Sequence, residues 1–157
     1  MTAMKFAIDD SVWNRGSELV YRAQEYSFDS DPRPEGCISS VVVNDLELEV
    51  DDEGVVICVT GLCPHLAWQR TERAPPPARR HVLRVIDQEW VPGISKRLTS
   101  PGEWPMFVNR SVGYVCVGSP EGRGVGIEFA PGCVAVLQDG QLLALWLRPK
   151  GIPPENS

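Results

Sequence analysis

Histidine is scarce in this chain, with only His65 and His81 among 157 residues. The stock of side chains that act as general bases near neutral pH is therefore small. No apolar run approaches the ~20 residues of a membrane-spanning helix; the longest, CVAVL and LLALWL, are the length of strands. The stretch MTAMKFAIDDSVW lacks a basic region followed by a long apolar one, so no export signal is expected. No phosphate-binding loop, dinucleotide fingerprint, GxSxG elbow or HExxH helix is found. The glycine-rich run at 122–126 is short, has no helix after it and reads as a turn. Basic residues are in deficit, 15 Lys and Arg against 21 Asp and Glu, which argues against a nucleic-acid partner. Strands do not alternate with long helices, so a doubly wound parallel sheet is excluded.

Five cysteines are present, Cys37, Cys58, Cys63, Cys116 and Cys133. The number is odd and most sit in apolar strand patterns, so buried free thiols in a reducing cytoplasm are expected; one disulfide is the alternative. Cys58, Cys63 and His65 offer zinc-type ligands, but structural zinc favours a tighter cysteine knuckle and a second pair elsewhere. No metal and no cofactor are expected.

The chain is organised around Val41–Cys63, which reads as one long β-hairpin. Leu46, Leu48 and Val50 alternate with Asp45, Glu47, Glu49 and Asp51, placing apolar groups on one face and carboxylates on the other. Gly54 closes an acidic turn, and the second arm, Val55–Thr60, is apolar on both faces, as inside a sheet. A second unit, CVAVL-QDG-QLLALWLRP, resembles the first. A duplicated hairpin accounts for that, and so does turn chemistry, which dictates Asp-Gly in any short hairpin.

Other segments are read in the same way. Ser17–Tyr26 predicts a short helix with Leu19, Val20, Ala23 and Tyr26 inward, although Tyr21, Tyr26 and Phe28 also suit a strand. SDPRPEG, at 30–36, is a loop. QRTERAPPPARR, at 69–80, predicts an extended, solvated loop of the long kind that is functional or mobile. Strands are expected at Met4–Ile8, His81–Ile86, Glu89–Thr99, Met106–Asn109, Gly113–Gly118 and Val125–Phe129. The expected fold is mostly β, an antiparallel sandwich or barrel of about nine or ten short strands with one short N-terminal helix. Residues 1–149 are expected to form one domain and residues 150–157 a flexible tail.

Charge is uneven along the chain. Residues 1–53 hold 13 acids against 4 bases, residues 54–110 hold 4 against 8, and the net charge is −6. The carboxylate face has three readings. It is a solvated face that discourages edge pairing, a docking surface for a basic protein, or a carboxylate pair for acid–base work or a hard cation. Trp68 and Trp104 adjoin loops and join Asp45, Glu47, Glu49 and Asp51 as candidate partner-binding residues. Trp90 and Trp146 are placed in the core. Cys63, His65 and His81 are the candidate catalytic residues, a thiol with two bases in reach of a strand exit.

Three functions compete. One is an acidic, cytoplasmic binding protein that docks a basic or enzymatic protein partner, as immunity and accessory proteins of this size and charge do. The second is a small β-barrel enzyme of isomerase, cyclase or hydrolase type with a Trp/His-lined pocket. The third is a structural or assembly subunit that associates with copies of itself. Neither nucleic acid nor membrane is expected as a partner.

Overall fold

The computed structural model describes residues 4–98, 103–121 and 123–155. Thr99, the end of one expected strand, Gly122 in the expected glycine-rich turn, and Asn156 and Ser157 of the expected tail lie outside the described residues. The strands are β1 (Lys5–Asp9), β2 (Glu18–Arg22), β3 (Ser27–Asp31), β4 (Ser39–Val43), β5 (Leu46–Val50), β6 (Val56–Leu62), β7 (Gln69–Arg70), β8 (Ala78–Arg80), β9 (Val82–Ile86), β10 (Lys96–Arg97), β11 (Met106–Asn109), β12 (Tyr114–Gly118), β13 (Val125–Ala130), β14 (Cys133–Gln138) and β15 (Gln141–Leu147).

They form three open sheets. The first has the order β10-β4-β5-β6-β3-β2, the second β7-β11-β12-β15-β14-β13-β8, and β1 pairs with β9 in a two-stranded ribbon. The fold is thus mostly β and sandwich-like, with no closed barrel. Three short edge pairs, β10 with β4, β7 with β11 and β8 with β13, are parallel, and the others are antiparallel. The extra strands beyond the expected count are mainly these edge pieces of two or three residues. Such pieces are too short to show a period-2 pattern.

The expected hairpin is the middle of the first sheet, and its inner face holds as read. Leu46, Leu48 and Val50 are buried, and Leu48 faces Val59 across the β5–β6 pair. One core cluster joins these residues to Phe129, Leu145 and Leu147 of the second sheet and to Phe6 and Leu83 of the ribbon. Burying each such side chain contributes about 1.5–3 kcal/mol before chain entropy is counted. Gly54 adopts a φ of 80°, and a Cβ there would lie 2.5 Å from the Val85 carbonyl oxygen. Glycine therefore serves both the turn and the docking of the ribbon on the hairpin. The first arm starts later than read, however. Val41–Val43 belongs to β4, and the chain reverses at Asn44, which has a φ of 55°. Asparagine tolerates that left-handed conformation. Asp45 therefore lies in a turn rather than in the strand.

The N-terminal helix is not formed; Glu18–Arg22 is strand β2 and Ala23–Glu25 a single 3₁₀ turn. Leu19 and Tyr21 point inward instead of the helical set. The cause is a cross-strand pair. Tyr21 lies opposite Phe28 with ring centroids 5.0 Å apart, and aromatic pairing of this kind outweighs a weak helix preference.

The stretch 69–80 is not a free loop either. Its two ends pair with opposite edges of the second sheet, Gln69–Arg70 on β11 and Ala78–Arg80 on β13. The inner face of that sheet is filled by the core, so residues 71–77 cross its outer face. Eight extended steps from Arg70 to Ala78 cover about 25 Å in a polyproline conformation. Six inter-strand spacings of a flat sheet come to ~29 Å, more than the strap reaches, so the sheet between its two edges is not flat and the strap has no slack. Gly126 makes room for it, since a Cβ there would stand 3.0 Å from the Pro77 carbonyl oxygen and 3.2 Å from Pro76 Cγ. Beneath the strap is a second buried cluster, Cys116, Val134, Val136, Ala144 and Trp146.

Trp146 is fully buried on β15, whereas Trp90 is half-buried and lies outside the strands. Two residues of the stretch expected to be a tail make hydrogen bonds to the sheets. Lys150 exchanges two backbone hydrogen bonds with β2, and Arg110 Nε donates to the Pro153 carbonyl.

Candidate functional site

Of the candidate catalytic residues, Cys63 and His65 meet at one aromatic corner, and His81 lies apart from them. Cys63 follows β6 and is 1% exposed, with its thiol against Met106 Sδ at 3.4 Å. Burial pushes its pKa up to about 12, an effect that the Trp68 indole beside it partly offsets. Among the described residues that indole Nε1 has no hydrogen-bond partner. Such a thiol is the reverse of an activated nucleophile.

His65 opens a 3₁₀ turn, His65–Ala67, and lies over the Tyr21–Trp68 pair. Its ring stacks on Tyr26 at 5.3 Å. The Tyr21 hydroxyl donates to the Cys63 carbonyl at 2.8 Å and accepts the His65 amide at 2.9 Å. Its remaining contact, 3.3 Å to His65 Nδ1, then calls for a proton on Nδ1. Burial raises the Tyr21 pKa to about 12, so this hydroxyl stays protonated. The group is a cross-braced aromatic corner. His81 lies elsewhere, between β8 and β9, where its amide donates to the Glu128 carbonyl and its Nδ1 is buried without a partner. No contact among the described residues joins it to Cys63 or His65. Cys63 and His65 thus share Tyr21 and Trp68, while His81 stands beside Glu128 of the second sheet.

The acidic row is divided in the same way. Glu49 is buried, and its carboxylate accepts from Arg33 at 2.7 Å, from Thr60 Oγ1 at 2.9 Å and, weakly, from the Cys58 thiol at 3.6 Å. Glu47 accepts from Ser40 Oγ at 2.8 Å. Asp51 caps its own turn, taking the amides of Glu53 and Val55 at 2.9 and 3.0 Å. Only Asp45 is left: exposed at the β4–β5 turn, its carboxylate makes no hydrogen bond or ion pair among the described residues. The row therefore does not form a continuous docking face.

Asp45 instead meets Trp104. An open cleft of about 450 Å³ is lined by Val43, Asn44, Asp45, Arg97, Leu98, Glu103 and Trp104. Asn44 and Trp104 lock together reciprocally. Asn44 Nδ2 donates to the Trp104 carbonyl at 2.9 Å, and the Trp104 amide donates to Asn44 Oδ1 at 2.8 Å. Arg97 spends an N–H on the Asn44 carbonyl at 2.7 Å. Glu103, like Asp45, is exposed and makes no ion pair among the described residues. The cleft thus offers two unpaired carboxylates and one half-buried indole on a rigid hairpin turn. Asn44 and Glu103 were not singled out from sequence. Their signals are the asparagine ahead of Asp45 and the acid next to Trp104, each short and common.

A second cleft, about 270 Å³, lies over the outer face of the first sheet, between Arg33, Cys37, Ser40, Glu49 and Ser95. The loop at 32–37 forms one of its walls. All five cysteines are free. No group of three or more His, Cys, Asp or Glu side chains is placed to hold a metal ion among the described residues. No helix is long and apolar enough to cross a membrane. Comparison with family models, with curated proteins and with solved structures finds no match to this chain.

Proposed function

We propose that this protein is a binding protein, immunity-like or accessory in kind, that takes a basic side chain of a protein partner into the Asp45–Glu103–Trp104 cleft. The observation that carries this reading is an open cleft, lined also by Arg97, where two carboxylates that make no ion pair among the described residues stand with an indole. A guanidinium or ammonium entering there gains ion pairing from both acids and cation–π attraction from Trp104. The net charge of −6 draws a basic partner at long range. Free thiols fit a reducing, cytoplasmic setting.

The enzyme reading has less behind it, because neither histidine lines the clefts described above. Self-association through sheet edges also has little support. Of the four outermost strands of the two large sheets, three have two or three residues, and the fourth, β2, is occupied by Lys150.

The test is titration with a short arginine-rich peptide, followed by the Trp104 indole N–H signal in NMR, which a Trp104→Phe variant assigns. The signal is expected to shift saturably, more weakly as salt rises. Asp45→Lys with Glu103→Lys is expected to weaken binding at least about tenfold. A signal that does not move, or moves equally after the charge reversal, would refute the reading.

A further inference from the structure

The cleft continues into an apolar row along one end of the first sheet. The Asp45 carbonyl accepts the Leu62 amide at 3.1 Å, and the Tyr26 carbonyl accepts the Cys63 amide at 2.8 Å. The turn before β5, the end of β6 and the turn before β3 therefore stand side by side. Leu62 is 50% exposed and Tyr26 40%. The Tyr26 ring stacks on His65, and Leu66, the next residue after His65, is 72% exposed. Apolar side chains left open together mark a docking surface. Both ends of the row hold a non-glycine residue in the left-handed conformation, Asn44 at a φ of 55° and Tyr26 at 56°. Tyrosine takes that conformation rarely, and such strain gathers where ligands are clamped.

The row offers side chains rather than backbone. The amides of Leu62, Cys63, Ala67 and Trp68 are bonded within the chain, so a strand added from outside finds few partners there. An α-helix satisfies its own backbone and presents side chains alone. The strand order β5-β6-β3 puts two inter-strand spacings, ~10 Å, between Asp45 and Tyr26, which is about two turns of helix. Charge along the row favours a basic occupant. Asp45 and Glu103 make no ion pair among the described residues. Arg97, in the cleft, is bound to the Asn44 carbonyl, and Arg22, ahead of the Tyr26 turn, is paired with Asp29 at 3.3 Å and Glu25 at 4.0 Å.

Building on the cleft as a site for a basic side chain, we propose that the partner protein binds this end of the sheet with an amphipathic helix. Its leucine-type side chains cover Leu62, Leu66 and Tyr26, and its arginine or lysine, about two turns away, enters the Asp45–Glu103 cleft. Apolar burial supplies most of the affinity, and the charge sets the direction in which the helix lies.

The experiment titrates the full chain with two peptides of about four helical turns and equal charge. Both carry arginines at one end; one has leucines at helical spacing beyond them, and the other has glutamines in their place. The amide signals of Leu62 and Leu66 and the indole signal of Trp104 are followed by NMR. The leucine peptide is expected to bind at least about tenfold more tightly, with all three signals moving. Leu62→Ser with Leu66→Ser is expected to remove most of that advantage and to leave binding of the glutamine peptide as it was. Equal affinity of the two peptides, with both moving Trp104, would overturn the helix and leave the cleft reading standing. If neither moves Trp104, both fall. A dimer of the protein that the two serine substitutions dissolve would also overturn the helix, since a second copy would then be the occupant. The two peptides on the wild-type chain decide even if the variant fails to fold.

Discussion

The outer faces of the two large sheets are closed in opposite ways. On the first, the face carries Glu49, Cys58 and Thr60, and the cover is a loop that brings Arg33 down onto Glu49. On the second, the face carries Cys116, Val134, Val136, Ala144 and Trp146, and the cover is a strap rich in proline. Each cover matches what lies beneath it. A buried carboxylate needs a charged donor, because an unpaired one costs several kcal/mol to desolvate. An apolar face needs only water excluded, and prolines do so with no amide hydrogen to satisfy.

The largest way to break this comparison is Trp146→Ala. It empties the space under the strap and is expected to cost about 3–5 kcal/mol in urea unfolding. Alkali separates the faces next. The Cys116 pKa is raised to about 12 by burial, so the unfolded chain loses this proton first, near its usual value of about 8.5. The stabilisation is then full below about pH 8.5 and is lost as pH rises from there toward 12, on the order of a few kcal/mol. Cys116→Val is expected to flatten that part of the stability–pH curve; an unchanged slope would mean that the strap admits water.

On the first face, Arg33→Ala leaves Glu49 with Thr60 and the weak Cys58 contact. The expected cost is roughly 1–2 kcal/mol, read by chemical denaturation and largely restored when Glu49→Gln is added. The smallest expected effect is Pro76→Ala, about 0.4–1 kcal/mol, through a freer unfolded chain. A loss several times greater would show that Pro76 packs on Gly126 more tightly than entropy alone requires.

Much of this architecture was legible in the sequence. The alternation of Leu46, Leu48 and Val50 and the glycine at 54 gave the central hairpin, because period and turn chemistry are local. The β11–β12 and β14–β15 pairs were readable for the same reason. What could not be read depends on distant partners. Ser17–Tyr26 carries a helical pattern that Phe28 overrides from the neighbouring strand. The strap is composed like a solvated loop, and only the pairing of its two ends with β11 and β13 reveals its task. Glu49 looked like Asp45 in the sequence, yet Arg33, from the loop at 30–36, pairs with one while the other stays open at the cleft of Trp104.

Native-state alkylation resolved by residue reads both faces in one experiment. The account predicts that the partly exposed Cys37 is modified first, and that the buried Cys116 is modified only at the rate of global unfolding. Modification of Cys116 as fast as that of Cys37, under conditions where the protein remains folded, would contradict the claim that the strap seals the second sheet.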